Sequence, residues 1–338
     1  MNGVISFSLG GVRLLCGTAM VLAGFILESG CALLELHQAA PHGEEGKWEF
    51  DKEKWTPCFG RNPITASRRS HPVYCLGKDR SKPPVILLHE LTGLSQETLD
   101  YAESLSADFT VYVPMLFGEP SKSSVKDGLV AILFSGEWAR GVELDHSTPI
   151  VTWLRDLVER IRQNHNEPIG VIGNCLTGSL PLTLLDNPSV NAIVLAQPTL
   201  PLRIFWYSTE DRGSVGVSPE VIEMAKDRLS SKMKKKEFWV YGTRFENDPI
   251  SWRDKQKFLK DAFKDRYIDA EIPASEYLTP ELSYSDDRKK AHSTLIREWH
   301  PRSPEGAASR RIRDEVHKFL KDPRGFCGSL PSCTTSIR

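Results

Sequence analysis

A six-residue turn constrains the fold of this chain more than any other feature. An apolar run at residues 169–172 passes directly into residues 173–178, which read Gly-Asn-Cys-Leu-Thr-Gly. This pattern predicts a buried strand, a sharp turn and the start of a helix, with the thiol of Cys175 at the apex. The glycine two places before the cysteine lets the strand and the helix approach closely. Cys175 is therefore a candidate nucleophile, and a buried structural thiol is the alternative.

Apolar runs alternate with segments of helical periodicity along most of the chain. This alternation predicts the α/β class, with a mostly parallel central sheet and helices on both faces. Edge strands are expected within residues 36–80. The other strands are predicted near 84–88, 109–114, 168–172, 191–196, 237–242 and 267–271, and the helices near 95–106, 149–164, 177–186, 218–231, 252–264 and 307–321.

Composition and charge narrow the classes of function. The chain has 338 residues, of which 40% are hydrophobic, so one sizeable core is expected. A net charge of -1 argues against an electrostatic surface for nucleic acid, and the basic run at residues 232–236 is typical of a solvated helix end. The sequence has no zinc-spaced ligand cluster and no glycine-rich phosphate loop. Neither a metal nor another cofactor is therefore predicted.

Two polar segments downstream supply the other groups that a cysteine nucleophile needs. Residues 240–249 read as a strand followed by an acidic loop, and His292 lies on a polar segment ahead of the last predicted helix. Nucleophile, acid and then histidine is one of the chain orders in which hydrolytic triads occur. Asp248 and Glu246 are both candidates for the acid, because spacing alone does not separate them. A solvated loop charge is the alternative for either.

Four segments together resemble the dienelactone hydrolase family. They are residues 84–94, which read PVILLHELTGL, the turn at 173–178, the Arg-Phe-x-x-Asp-Pro loop at 244–249, and the pair His292 and Ser293. The resemblance spans roughly residues 60–322. It implies an α/β-hydrolase fold and a Cys-His-Asp triad that opens a lactone or ester through an acyl-thioenzyme.

The resemblance also implies a role for each matching residue. Cys175 is the expected nucleophile, His292 the base and Asp248 the carboxylate that orients the histidine. Glu90 matches an accessory carboxylate that helps to control the thiol. The backbone N–H groups of Leu91 and Leu176 are then the expected oxyanion donors.

Glu90 stands at the carboxyl end of a predicted parallel strand, where open α/β sheets bind ligands. A helix cap or a surface charge is the alternative for such a carboxylate. His89 precedes it, but strand alternation points neighbouring side chains to opposite faces. His89 is therefore not expected in the site.

Two positions depart from the family pattern. Thr177 stands where the family usually has glycine, and a β-branched residue there is expected to tighten the turn and narrow the pocket. Arg140 and Arg297 are candidates for holding a substrate carboxylate, but ordinary surface arginines are the favoured interpretation. The dienelactone itself is therefore not predicted as the substrate.

The first part of the chain reads as a leader. Arg13 precedes an apolar run at 14–27. Residues 29–32 resemble a lipoprotein cleavage box, although Glu28 stands at the position where leucine is usual. Residues 1–35 are predicted as an export signal, a lipoprotein signal or an N-terminal anchor, which implies export or membrane attachment. A cytoplasmic chain is the alternative. A linker (36–60), one hydrolase-like domain (61–322) and a loose tail (323–338) follow.

The cysteines bear on the compartment. Cys16 and Cys31 lie in the predicted leader and Cys175 in the turn. The four others allow the pairs Cys58 with Cys75 and Cys327 with Cys333, although sequence cannot establish connectivity.

The sequence therefore predicts a hydrolase of small carboxylic esters or lactones, similar to carboxymethylenebutenolidases. A thioesterase or acyltransferase with the same triad is one alternative, and a binding protein that kept the fold without turnover is another. Residues 116–148 and 199–216 interrupt the strand and helix alternation and are candidates for lids or pocket walls. The expected partner is a small-molecule substrate, and the oligomeric state is not predicted.

Overall fold

One central sheet organises the residues that the computed structural model describes, which are 49–59, 70–77, 79–120, 122–138, 143–201, 212–230, 237–277, 291–297 and 304–330. The strand order in this sheet is β1-β2-β4-β3-β5-β6-β7-β8. The strands are β1 (Thr56–Pro57), β2 (Val73–Leu76), β3 (Pro84–Leu87), β4 (Thr110–Pro114), β5 (Ile169–Asn174), β6 (Val190–Ala196), β7 (Trp239–Phe245) and β8 (Tyr267–Ile272).

Strands β3 to β8 all pair in parallel, whereas β1 and β2 form an antiparallel pair at one edge, where β2 is antiparallel to β4. Every residue of β3 and of β5 is buried, which is expected for central strands covered on both faces. This sheet confirms the predicted α/β class. Each strand predicted after residue 80 overlaps one that is observed.

Helices connect the parallel strands. A 3-10 helix, Cys175–Leu184, replaces the α-helix predicted at 177–186 and is called the elbow helix below. A second short 3-10 helix, Lys264–Arg266, precedes β8. The α-helices are α1 (Gln96–Leu105), α2 (Val125–Phe134), α3 (Pro149–Arg162), α4 (Pro219–Ser230), α5 (Arg253–Phe263), α6 (Ala274–Tyr277), α7 (Pro304–Lys321) and α8 (Pro323–Gly328).

The two faces of the sheet bury separate apolar layers. Ile86 of β3 belongs to the layer that contains Trp153 of α3. Its neighbour Val85 belongs to the opposite layer, with Leu99 of α1 and Phe319 of α7. Successive residues of a strand point to opposite faces, so one apolar strand feeds both layers.

Helix α2 lies in the region predicted as a lid or pocket wall, and its sequence contains a start signal. Ser124 is its N-cap, and the Ser124 hydroxyl accepts a hydrogen bond from the Asp127 N–H at 3.1 Å. Gly128 allows close packing, because a Cβ there would lie 1.9 Å from the carbonyl oxygen of Leu91. The helix therefore packs directly on the segment that follows β3.

The first end of the described domain has the expected edge strands, whereas the last end carries more structure than the sequence predicted. Residues 56–57, within the range where edge strands were expected, form β1, and a disulfide between Cys58 and Cys75, one of the pairs that the sequence allowed, links this edge to β2. The tail was predicted to be loose from residue 323, but Pro323–Gly328 is helical and the Phe326 ring packs 6.1 Å from that of Phe319. The prediction of a loose tail was wrong because the composition of the tail resembles that of a loop and does not show this aromatic contact.

Several predictions fall outside the described residues. These are the leader at 1–35, the linker up to 48, the basic run at 232–236, Arg140 and Cys333. Cys327 is disulfide-bonded, but its pairing with Cys333 stays a prediction. Across the described part of the chain, no helix combines the length and apolar character needed to span a membrane.

Candidate active site

Cys175 lies at the junction of β5 and the elbow helix in a strained backbone conformation. Its φ is +52°, in the left-handed region that side chains with a Cβ seldom adopt. The junction is compact, because a Cβ on Gly173 would lie 2.5 Å from the Thr177 carbonyl oxygen and one on Gly178 would lie 2.8 Å from the Pro198 Cα. The free thiol of Cys175 is 5% exposed. Such strain is typical of functional positions.

Side chains of the turn bind it to the end of β3. The Thr177 hydroxyl donates to the His89 carbonyl at 2.9 Å, and the Asn174 amide donates to the Leu88 carbonyl at 2.8 Å. Thr177 was expected to narrow a pocket, but its side chain is fully buried and points into this junction. Thr177, which stands where the family usually has glycine, therefore supplies a hydrogen bond between the ends of two neighbouring strands.

His292 and Asp248 meet beside the thiol. The His292 Nδ1 donates to the Asp248 Oδ2 at 2.7 Å, and both side chains are buried. The other Asp248 oxygen accepts the N–H groups of Ile250 at 2.9 Å and Ser251 at 2.8 Å, which fixes the carboxylate. Glu246, the alternative acid, instead accepts the N–H of Ala274 at 2.6 Å. The structure therefore brings Asp248, and not Glu246, to His292.

The surroundings of His292 favour its protonated form. Burial lowers the pKa of His292, but the charges of Asp248 and Cys175 and its hydrogen bonds to both side chains raise it by more. The net pKa is well above the usual value for histidine. An imidazolium therefore lies between a carboxylate and the Cys175 sulfur near neutral pH.

Glu90 lies just beyond β3 in a buried polar cluster. Its Oε1 accepts hydrogen bonds from the Ser293 hydroxyl at 2.6 Å and the Gln197 amide at 3.2 Å. Its Oε2 forms an ion pair with the Arg297 Nε at 3.3 Å. The surface interpretation of Arg297 was wrong, since its side chain is only 8% exposed. Glu90 and Arg297 therefore neutralise each other next to the histidine segment.

His89 points away from this cluster, as alternation predicted. Its Nε2 accepts the Leu116 N–H at 3.0 Å, so its Nδ1 carries the proton and donates to the Glu90 carbonyl at 2.8 Å. Burial is the main cause that lowers the pKa of His89 to about 4. His89 is therefore a neutral residue that joins two backbone segments.

Gln197 is a residue of the site that sequence reasoning missed. It follows β6, is fully buried and has a φ of +37°. Its amide nitrogen donates to Glu90, while its amide oxygen accepts the Thr294 N–H at 3.1 Å. Gln197 thus connects the end of β3 to the histidine segment. Its place after an apolar strand was the available signal, but a lone glutamine belongs to no motif.

Arg244 belongs to the Arg-Phe-x-x-Asp-Pro motif, from which no separate role was predicted for it, and it clamps the acid loop. Its Nε donates to the Ser251 carbonyl at 2.6 Å and its guanidinium to the Glu246 carbonyl at 2.8 Å, on either side of Asp248. A salt bridge with Glu271 of β8 holds the buried guanidinium. The motif arginine therefore fixes the loop that carries Asp248.

Lys255 of α5 is a second cation near the acid. Its ammonium is buried and donates to the Leu200 carbonyl. Burial is the main cause that lowers the pKa of Lys255 to about 7, against the opposing attraction of Asp248. The Thr199 N–H in turn donates to the Cys175 carbonyl at 3.1 Å. Lys255 thus holds the loop that lines the elbow.

The expected oxyanion donors occupy two neighbouring strand ends. Leu176 is the second residue of the elbow helix, where backbone N–H groups have no partner in the preceding turn. Leu91 follows Glu90 and packs against Gly128 of α2.

Within the described residues, no group of three or more histidine, cysteine or acidic side chains is placed to hold a metal ion.

Comparisons with known proteins found similarity only at the level of structure. No protein-family model matches the chain, and no curated protein matches it. A protein assigned as a dienelactone hydrolase from Klebsiella pneumoniae subsp. pneumoniae has 14% identity and a TM-score of 0.48, covering 78% of this chain and 98% of its own. An esterase from Pyrococcus furiosus has 10% identity and a TM-score of 0.47, covering 83% and 98%. The fold class of this chain rests on its own sheet.

Proposed function

We propose that this protein is an ester hydrolase in which Cys175 is the nucleophile, His292 the acid and base, and Asp248 the orienting carboxylate. The observation that carries the proposal is the meeting of three buried groups from separate elements. A strained cysteine lies at the end of β5, close enough to His292 for its charge to act on the imidazole, and the Nδ1 of that imidazole donates to a fixed carboxylate at 2.7 Å. This is the arrangement of a nucleophile, a base and an orienting group.

The first half of the proposed reaction is acyl transfer to sulfur. In this step the Cys175 sulfur attacks the ester carbonyl carbon as a thiolate and forms a C–S bond, while His292 holds the proton. The oxygen that gains negative charge accepts the backbone N–H groups of Leu91 and Leu176. The intermediate collapses, the C–O bond breaks, and His292 gives its proton to the departing alcohol.

The second half is hydrolysis of the thioester. The now neutral His292 takes a proton from water, whose oxygen attacks the acyl carbon. The C–S bond breaks, the carboxylic acid leaves, and the thiolate and imidazolium are restored. Asp248 keeps its charge throughout and holds the His292 ring in one orientation. No cofactor enters either half.

Glu90 is proposed as an accessory carboxylate that positions the segment carrying His292. Because it accepts Ser293 at 2.6 Å and pairs with Arg297 at 3.3 Å, it anchors the residues that follow His292 in the chain. We propose small, uncharged carboxylic esters or lactones as substrates. Two charge pairs of the described site, Asp248 with His292 and Glu90 with Arg297, are already formed within the protein.

The proposal is tested by hydrolysis of p-nitrophenyl esters and a small enol-lactone. Cys175→Ala removes the attacking atom, so turnover should fall by a factor on the order of 10⁴ or more without loss of the fold. Ser179→Ala is the matched control, because Ser179 is a buried residue on the same elbow helix and should keep most of the activity. Cys175→Ala turning over at the wild-type rate would contradict the assignment.

The same assay separates the alternatives. A thioester cleaved much faster than the matching oxygen ester would indicate a thioesterase, and transfer to an added alcohol an acyltransferase. A folded protein whose thiol resists acylation and that turns over none of the esters would indicate a binding protein instead.

A further inference from the structure

A cavity opens at the end of the strands opposite to the thiol. Its volume is about 620 Å³, which is within the usual range for small-molecule sites. Cys175 and Glu90 follow the carboxyl ends of their strands, whereas this cavity is lined at the amino end of β4 and in the turns that precede β3 and β5. The Cys58–Cys75 disulfide forms part of its wall. The cavity is therefore separate from the proposed active site.

The charges in this cavity are unbalanced. Arg80, from the turn before β3, and Arg160, from the last turn of α3, both line it, and it contains no carboxylate. Among the described residues, neither guanidinium has a carboxylate within 4.0 Å. Other arginines of α3 differ, since Arg155 pairs with Asp186 at 2.7 Å and Arg162 with Glu159 at 3.0 Å.

Two aromatic rings form one wall of the cavity, and each lies near one of the arginines. The rings of Phe59 and Tyr112 are nearly parallel, with an angle of 10° and centroids 6.0 Å apart. The Arg160 guanidinium lies 5.8 Å from the centroid of the Phe59 ring. Arg80 is close enough to Tyr112 for its charge to act on the phenol. A planar apolar group on this wall would place an attached anion within reach of a guanidinium.

The remaining polar groups of the cavity are neutral. The Tyr112 hydroxyl and the His165 Nε2 form a hydrogen bond of 2.8 Å. Burial raises the pKa of Tyr112, so the phenol keeps its proton. Burial is also the main cause that lowers the pKa of His165, and the charge of Arg80 acts in the same direction. The cavity therefore presents two positive charges near neutral pH.

We propose that this cavity binds a small planar aromatic carboxylate. The ring would pack on Phe59 and Tyr112, and the carboxylate would accept hydrogen bonds from Arg80 or Arg160, whose planar fork matches carboxylate geometry. The amides of Gln163 and Asn164, which also line the cavity, supply further polar contacts. This site is independent of the proposed ester hydrolysis, since it uses none of the same residues.

The probe for this proposal is benzoate, titrated by calorimetry into the purified full chain. Charge-assisted hydrogen bonds are worth enough that Arg80→Gln or Arg160→Gln should each raise the benzoate Kd by about tenfold. Arg162→Gln is the matched control, because it removes an arginine two positions along the same helix that pairs with Glu159. Phe59→Ala should weaken benzoate but leave the weak binding of acetate unchanged. Thermal melting verifies that each variant is folded.

Three outcomes would overturn the proposal. The first is no benzoate binding up to about 10 mM, the weak limit for a specific small-ligand site. The second is an Arg80→Gln, Arg160→Gln double variant that binds benzoate as tightly as the wild type, which would place the ligand elsewhere, including at Cys175. The third is benzamide, the uncharged analogue, binding as well as benzoate, because a site defined by two guanidinium groups must prefer the anion.

Discussion

The carboxyl ends and the amino ends of the strands, called the carboxyl edge and the amino edge below, differ in whether their charged side chains are paired. At the carboxyl edge, Asp248 holds His292 at 2.7 Å, and Glu90 holds Arg297 at 3.3 Å. At the amino edge, Arg80 and Arg160 line a cavity without a carboxylate. A buried charge is costly unless it is paired, and the partners in these two pairs of the carboxyl edge neutralise each other before any ligand arrives. This difference is the reason why we propose an uncharged substrate for the carboxyl edge and an anion for the amino edge.

Among the charge variants, the largest expected effect comes from removing the carboxylate that is paired with His292. Asp248→Asn leaves the shape of the acid but removes the carboxylate that orients His292, so kcat/KM for a p-nitrophenyl ester should fall by about 10² to 10⁴. Glu246→Gln is the matched control on the same loop, and its kcat/KM should stay near the wild-type value. Equal losses in the two variants would contradict the choice of Asp248.

The second effect tests whether Glu90 and Arg297 balance each other. Arg297→Met leaves a buried carboxylate without its cation, which should lower the free energy of unfolding by about 3 kcal/mol. The Glu90→Gln, Arg297→Met double variant removes both charges and should recover most of that loss. Urea denaturation of the Glu90→Gln and Arg297→Met single variants and of the double variant provides the values. A double variant that loses the sum of the two single effects would show that the residues are not coupled.

The smallest effect concerns Lys255, a cation of the carboxyl edge that donates to the Leu200 carbonyl. Its pKa is lowered from 10.5 to about 7, chiefly by burial. Below pH 7 the folded protein carries the full cost of burying the charge. Between pH 7 and 10.5 the unfolded chain binds more protons at this residue than the folded one, so this contribution makes stability rise with pH.

Lys255→Met removes that contribution. The unfolding free energy of the variant minus that of the wild type should therefore fall by about 1.4 kcal/mol for each pH unit above 7, and be flat below it. Urea denaturation between pH 6 and pH 9, in steps of about one unit, provides the values. A difference that does not change with pH would mean that Lys255 keeps its proton in the folded state.

The sequence was sufficient for the sheet and for the residues that carry a motif. Alternating apolar runs predicted the parallel strands, because each buried strand needs a continuous apolar stretch of a few residues. The turn around Cys175 and the position of His292 were also readable. Asp248 and Glu246 could not be separated by spacing, since the direction of a loop side chain depends on the Arg244 clamp and on Tyr277, whose hydroxyl accepts the Asn247 N–H at 3.1 Å.

The roles of residues whose partners lie far away in the sequence could not be predicted. Gln197 and Glu90 are 107 positions apart in the chain. Their side chains meet only because the strand order places β3 and β6 on either side of β5. Arg297 resembled a surface arginine because burial of a charge depends on its partner and not on local sequence. Helix α2 was missed although Ser124 caps it, because the region was interpreted by its aromatic residues rather than by its helical signals.

The most direct test of the account is the mass of the protein acid-quenched at short times after mixing with p-nitrophenyl acetate, followed by peptide mapping. The account predicts one acetyl group on Cys175 that appears with the first p-nitrophenol and disappears as the ester is exhausted. Steady release of p-nitrophenol with Cys175 unmodified at every time, or with the acetyl group on another residue, would contradict it.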